Sequence, residues 1–371
     1  MIQLADPARE HREHQEAIEA AALRVLREGV YILGPEVSAF EAEFARYCGA
    51  AHAVGVSNGS DAIVVALHAL GIGPGDEVIT TAFSYFATTS AILRVGATPV
   101  FADIDLDTFN LSPAEVARRI TPRTKAILAV HLFGRVADVD ALAALARREG
   151  VALIEDGAQA CGASRGDRRV GALGAVACFS FFPAKPLGCD GDGGACVTDD
   201  AALRDAMLRA RVTGASAKNV HTGPGGNYRL DPLQAAILRA KLTKYEARVA
   251  RRRANAERLR AAIRADAPGV IAPDDDPHGR HVYAQFTVRH AERDRLQAAL
   301  RARGVAAEVY YPVPMPLQAA VASLGHRRGE FPAAERAAAE VLSIPTHSEL
   351  DEGEVDRVLE ATVDAAREVA R

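Results

Sequence analysis

The stretch FFPAKPLGCDGDGGA, residues Phe181 to Ala195, holds the residue on which the reading of this chain turns, Lys185. Lysine occurs only at 125, 185, 218, 241 and 244, five of the 44 basic residues. A chain that writes its cations as arginine keeps a lysine where guanidinium cannot serve. A primary amine loses its proton when desolvated and condenses with a carbonyl, whereas guanidinium stays charged. Phe179, Phe181, Phe182, Pro183, Pro186 and Leu187 surround Lys185 in sequence, an apolar setting that should lower its pKa. A surface lysine in a glycine-rich turn is the plainer alternative.

Working outward, strands and helices alternate. AVGVS leads into the helix NGSDAIVVALHALG, and the strands VIT, TPVFAD and KAILAVH, each followed by helical sequence, lead to ALIED, with FSFF and GACVT to close the sheet. This rhythm predicts a mostly parallel sheet covered on both faces. An amphipathic helix from Pro7 to Gly29 precedes it, with Ile18, Ala21, Leu23, Val25 and Leu26 as its apolar face, and a helix over Ser38 to Tyr47 follows. One long helix is expected from Pro232 to about Asp266. Beyond it HVYAQFTVR, RDRLQAALRARG, AEVYY and two C-terminal helices make a second α/β unit. At 371 residues the chain exceeds a single core of roughly 250 to 300 residues, so two domains are expected, 1–248 and 249–371.

With 49% hydrophobic and 25% charged residues and a net charge of −4, the chain offers no basic groove for nucleic acid or anionic membrane. The opening MIQLADPAREHREHQ lacks the apolar core of a signal peptide, and no run approaches the ~18 apolar residues of a membrane span. A cytoplasmic location is the expectation. The five cysteines, at 48, 161, 178, 189 and 196, contain no C-x-x-C pair, which points to buried free thiols. No histidines have metal-ligand spacing, so no metal is expected.

In open α/β sheets ligands lie beyond the carboxyl ends of the strands. Four groups fall there. Asn58-Gly59-Ser60-Asp61 opens a helix whose free N–H groups and Ser60 hydroxyl suit a phosphate, though the same residues also cap helices. Asp156 ends ALIED and could keep a pyridine nitrogen protonated, with Gln159 one turn on; it could equally be a cap. Ser180 is a second candidate for a phosphate oxygen. Tyr85 could stack on an aromatic cofactor, or be a core residue with a wet hydroxyl.

The motifs SNGSDA, GIGPGDEVITTAFSYFATTSAI, PVFADIDLDTFNL, HLFG, IEDGAQACGA, FSFFPAKPLGCDGDGGA and NYRLDPLQAAIL, in this order, resemble the pyridoxal-phosphate-dependent sugar aminotransferases of the DegT/DnrJ/EryC1/StrS family. The resemblance implies fold type I, the aspartate-aminotransferase-like fold, with a large mostly parallel sheet domain and a smaller C-terminal α/β domain, working as a homodimer with shared active sites. It implies that Lys185 binds pyridoxal 5'-phosphate as a Schiff base, that Asp156 pairs with the ring nitrogen, and that Gln159 lies near the ring hydroxyl. Gly59, Ser60 and Ser180 match the phosphate cup, Tyr85 the stacking position, and Asn227 a residue reaching the phosphate from the other subunit. The amino group would pass from L-glutamate to a nucleotide-linked keto-sugar.

YILGPEV, PAKPLGC, RLDPLQAAIL, VYAQFTVR and YYPVP resemble most closely the transaminases of UDP-2-acetamido-2-deoxy-3-ketoglucuronate, which serve surface polysaccharide (lipopolysaccharide, O-antigen) synthesis. On that resemblance Arg229 would take the sugar carboxylate, and Tyr310 and Tyr311 would contact substrate. That subgroup reads His-Tyr-Pro where this chain has Tyr310-Tyr311-Pro312, which leaves a dTDP- or GDP-linked keto-deoxyhexose open. A sugar dehydratase of the same fold would carry histidine in place of Lys185. A non-catalytic pyridoxal-phosphate-binding sensor is the alternative from another class, separated by the absorbance of a lysine Schiff base.

Overall fold

A computed structural model describes residues 1–371. Its main sheet has seven strands: β1 His52–Val56, β2 Glu77–Thr81, β3 Thr98–Ala102, β4 Thr124–Val130, β5 Ala152–Asp156, β6 Val176–Ser180 and β7 Gly194–Thr198. Across the sheet they run β1-β7-β6-β5-β4-β2-β3. β2 to β6 are parallel, while β7 is antiparallel to both its neighbours, with Ser180 opposite Gly194. The stretch around Lys185 is therefore the connection between two adjacent antiparallel strands, held at the end of the sheet where β4 and β5 also finish.

Successive residues of a strand face opposite sides. In β4, Ala126 and Leu128 pack with the helices Gly59–Ala69 and Ala87–Arg94, and Ile127 and Ala129 pack with the helix Val139–Glu149. Both faces are thus covered, as near-continuous apolar strands require. Under β6 and β7 a third cluster joins Phe179, Phe181 and Val197 to Phe40 and Phe44 of the helix Pro35–Cys48. All five cysteines are free and buried. Two glycines mark where the elements press together. A Cβ on Gly59 would lie 2.5 Å from Ser180 Cβ, and one on Gly194 would lie 2.5 Å from the Asn58 carbonyl. Only glycine lets this helix N-terminus come so close to β6 and β7.

A separate core of 19 residues, all between Ala256 and Val369, is built on the antiparallel pair Phe286–Arg289 and Val341–Ile344 with the helices Arg293–Ala302 and Glu352–Val369. The handover between cores falls inside one helix, Tyr245–Asp266. Its Tyr245 and Val249 pack with the sheet domain, and its Ala256, Leu259 and Ile263 with the smaller core.

Three expectations are corrected. The helix read as continuous from Pro232 to Asp266 is two, Pro232–Leu242 and Tyr245–Asp266. No proline or glycine marks the break. Tyr245 is instead drawn into the core, its hydroxyl donating to the Cys161 carbonyl at 2.9 Å. The segment beyond AEVYY, expected to be two helices, also holds the strand Val341–Ile344, extended because it pairs with Phe286–Arg289. On the first helix, Pro7–Glu28, Ile18, Ala21 and Val25 are buried, but Leu23 and Leu26 are about half exposed and lie off the packed face.

Candidate active site

One cavity of about 610 Å³ opens beyond the carboxyl ends of β4, β5 and β6, a size suited to a cofactor or drug-sized ligand. It brings together Gly59, Ser60, Tyr85, Asp156, Gln159, Ser180, Lys185, Tyr310 and Tyr311. Asn227 and Arg229 are not among its lining residues. Both lie on a segment laid beside β1, where Arg229 bridges to Val56, Asn227 bridges to Val212, and the Asn227 side chain is exposed.

Lys185 is fixed by its backbone. Its N–H donates to the Phe182 carbonyl at 2.8 Å, and the loop is closed below it by Cys189 N–H to Phe181 O and Phe181 N–H to Gly193 O, each 2.8 Å. The side chain keeps some exposed surface, yet its amine lies deep enough that burial pulls its pKa below the ordinary lysine value; the negative charge of Asp156 opposes the shift. An amine so placed exists more readily in its neutral, nucleophilic form.

Asp156 ends β5 with its carboxyl buried. Burial raises its pKa, against hydrogen bonds from Thr88 and Ala158 and the charge of Lys185. Thr88 Oγ1 donates to Oδ2 at 2.8 Å and Ala158 N–H donates to Oδ1 at 3.2 Å. Both oxygens are thereby fixed. Gln159 is locked from both ends: its Oε1 accepts from Phe133 N–H at 2.6 Å and its Nε2 donates to the Tyr311 hydroxyl at 3.0 Å. Tyr311 tilts against Tyr85, ring centroids 6.1 Å apart, and Tyr85 is 60% exposed on the cavity wall instead of joining the core.

The phosphate candidate has the geometry of an N-terminal anion site. Asn58 Oδ1 accepts the Asp61 N–H at 2.8 Å, which leaves the N–H groups of Gly59 and Ser60 free of backbone acceptors beside Ser180. The Asp61 carboxylate is neutralised by Arg94 at 2.8 Å and also accepts from Ser57 and Asn58, so it does not repel an anion there.

A family model described as the DegT/DnrJ/EryC1/StrS aminotransferase family matches residues 12–363. This chain belongs to that family. Among its relatives, a protein of Geobacillus stearothermophilus named pleiotropic regulatory protein is 44% identical over 100% of both chains. The dTDP-3-amino-3,4,6-trideoxy-alpha-D-glucose transaminase of Streptomyces venezuelae is 44% identical over 97% of this chain and 94% of its own. The UDP-2-acetamido-2-deoxy-3-oxo-D-glucuronate aminotransferase of Pseudomonas aeruginosa is 42% identical over 95% and 96%. The crystal structure of S. venezuelae DesV with a ketimine intermediate superposes with a TM-score of 0.96 at 44% identity, covering 98% of each chain. The aminotransferase thus has fold type I and depends on pyridoxal phosphate for transamination of nucleotide sugars. Its cavity fits that cofactor: a desolvated amine, a buried carboxylate held by two donors and a helix N-terminus stand around one space.

Among residues to which sequence reasoning gave no role, Thr88, Arg94 and Gln285 line the cavity of this aminotransferase. Thr88 stands inside the quoted FATTSAI and Gln285 inside VYAQFTVR, so the motifs held them, but a hydroxyl within a helix and an amide just before a strand carry no signal of role on their own. His131, which follows β4, is fully buried. Its Nδ1 accepts from Ala137 N–H at 3.1 Å, so its Nε2 carries the proton and faces Glu155 at 3.1 Å.

Proposed function

We propose that this aminotransferase carries an amino group from L-glutamate to C3 of UDP-2-acetamido-2-deoxy-3-ketoglucuronate, for surface polysaccharide such as lipopolysaccharide O-antigen, in the cytoplasm. The observation that carries the transfer itself is Lys185 in one cavity with Asp156. Pyridoxal phosphate, when bound, supplies the electron-withdrawing ring that stabilises negative charge on the carbon losing its proton. Asp156, held by Thr88 and the Ala158 N–H, keeps the ring nitrogen protonated. Gly59, Ser60 and Ser180 hold the phosphate, and Gln159 fixes the far edge with Tyr311. Lys185 Nζ takes the proton from Cα of the donor and returns one to the carbon that receives nitrogen.

The choice of sugar is supported by the 42% relative that acts on the 3-oxo-glucuronate and by Arg229, which makes no salt bridge to a carboxylate of its own chain and is suited to a uronate. We propose a homodimer in which the partner's Asn227 and the partner's Arg229 complete each cavity. Exposed Leu23, Leu26, Val30, Tyr31 and Ile32 offer an apolar surface for that contact. A second reading, a dTDP-linked keto-deoxyhexose, is favoured by one specific feature, the neutral Tyr310 on the cavity wall.

The deciding experiment incubates purified holoenzyme with glutamate and, separately, UDP-2-acetamido-2-deoxy-3-ketoglucuronate or a dTDP-keto-deoxyhexose. Amination of the UDP-uronate is the expected result. Amination of the dTDP sugar alone would move the assignment to the second reading.

A further inference from the structure

Gln285 is the one residue on the cavity wall with a buried side-chain polar atom that finds no partner. Its backbone N–H is engaged with the Phe133 carbonyl at 3.4 Å. Its Oε1 is buried and finds no donor. Gln159 is occupied at both ends, Thr88 bonds Asp156 and Tyr311 bonds Gln159, and no other side-chain polar atom of that wall is both buried and unpartnered. Leaving a buried carbonyl unpaired is costly, so a residue in this position serves something that arrives. Gln285 also borders a small second cavity behind the first, about 10 Å³ between Phe109, Phe133 and His281. That space suits about one water, which defines the competing account.

The two substrates differ in what they offer an amide. Glutamate, once its amine is engaged in the reaction, presents only carboxylates, which accept hydrogen bonds and cannot give a proton to Oε1. A keto-sugar ring presents hydroxyls, and a 2-acetamido sugar an N–H as well. These both donate and accept. An amide whose two ends exchange by a half-turn of its last torsion is satisfied by the sugar in either orientation, but by a carboxylate only through its N–H.

We propose that the Gln285 side-chain amide hydrogen-bonds the sugar ring and is a specificity-determining residue for the keto-sugar half-reaction. The inference rests on the sugar-aminotransferase reading of the cavity and deepens it; it does not depend on which nucleotide the sugar carries. The test uses holoenzyme with whichever keto-sugar the wild type aminates, so that failure of the substrate assignment is already known before the variant is judged.

In Gln285→Met, which keeps the length and removes the polarity, KM for the keto-sugar should rise roughly tenfold, the worth of about one hydrogen bond. The glutamate half-reaction, followed by the absorbance change of the bound cofactor, should stay within about twofold. Gln285→Asn, which withdraws the amide by one methylene, should give the same split and serves if the Met variant does not fold. An unchanged sugar KM, as a water-satisfied amide would give, overturns the proposal. So does an equal loss in both half-reactions, as a purely structural amide would give.

Discussion

Two of the five lysines are enclosed by the fold, and they are treated in opposite ways. Lys241 is 1% exposed, and its Nζ lies 2.7 Å from Asp190, 2.9 Å from the Gly188 carbonyl and 3.7 Å from Glu10. Lys185 is held by its backbone, and Asp156 is the one carboxylate whose charge opposes the lowering of its pKa. Burial beside anions compensates a charge, whereas burial without a bonded anion expels it. The first makes a lysine a clamp and the second makes it a reagent. The two are joined, because Gly188 and Asp190 belong to the same loop as Lys185. The clamp holds the segment from which the reagent projects.

The largest effect expected is at the reagent. Lys185→Arg keeps a cation and removes the amine that can be neutral, so amino transfer from glutamate should fall on the order of 10³-fold or more. The fold should remain, since no side-chain salt bridge is lost. Single-turnover kinetics with glutamate, with circular dichroism as the control on folding, measure both. Transfer at the wild-type rate would end the distinction between reagent and clamp.

The clamp should show the reverse pattern. Lys241→Met leaves Asp190 and Glu10 beside a buried thioether. Removing one partner of an enclosed pair costs about 3 to 5 kcal/mol. The Asp190 side chain keeps 30% exposure, which reduces the expectation to about 2 to 3 kcal/mol in denaturant unfolding. The rate should fall less than for Lys185→Arg, through loosening of the loop. Full stability in the variant would mean that Gln234, whose Oε1 accepts the Asp190 N–H at 2.9 Å, holds the loop by itself.

How far the sequence could reveal this is seen in the same residues. The scarcity of lysine pointed to Lys185 because its neighbours in the chain are themselves apolar, and the ends of strands identified Asp156 and Ser180 because a strand's end is a local property. Lys241 lies in an ordinary amphipathic helix, and its acidic partners come from residues 10 and 190; no local pattern contains that contact. The helix break before Tyr245 and the strand at Val341–Ile344 escaped for the same reason, each being set by a surface contributed from far along the chain. Thr88 acts through Asp156, 68 residues away. Local chemistry was legible, and chemistry assembled by tertiary contact was not.

The smallest and most discriminating effect is in pH. Burial pushes the Asp190 pKa up, but the bonds from Lys241 and His11 outweigh it, so the folded value lies below the ordinary one. A carboxyl of that kind contributes stability that is present above its unfolded pKa of about 3.9 and is lost as pH falls through its folded value. The gap between wild type and Lys241→Met should therefore close on the acid side. Lys185 behaves in the opposite sense. Its folded pKa is lowered, so folding disfavours its charged form, and that cost is fully present below the folded pKa. It is relieved as pH rises from there to about 10.4, where the unfolded lysine also loses its proton. Cofactor-free Lys185→Met should accordingly be the more stable protein at neutral pH, with an advantage that shrinks as the solution becomes alkaline. Unfolding midpoints of the three proteins between acid and alkaline pH would place the two gaps at opposite ends of the scale; two gaps that close at the same end would show that both lysines are clamps.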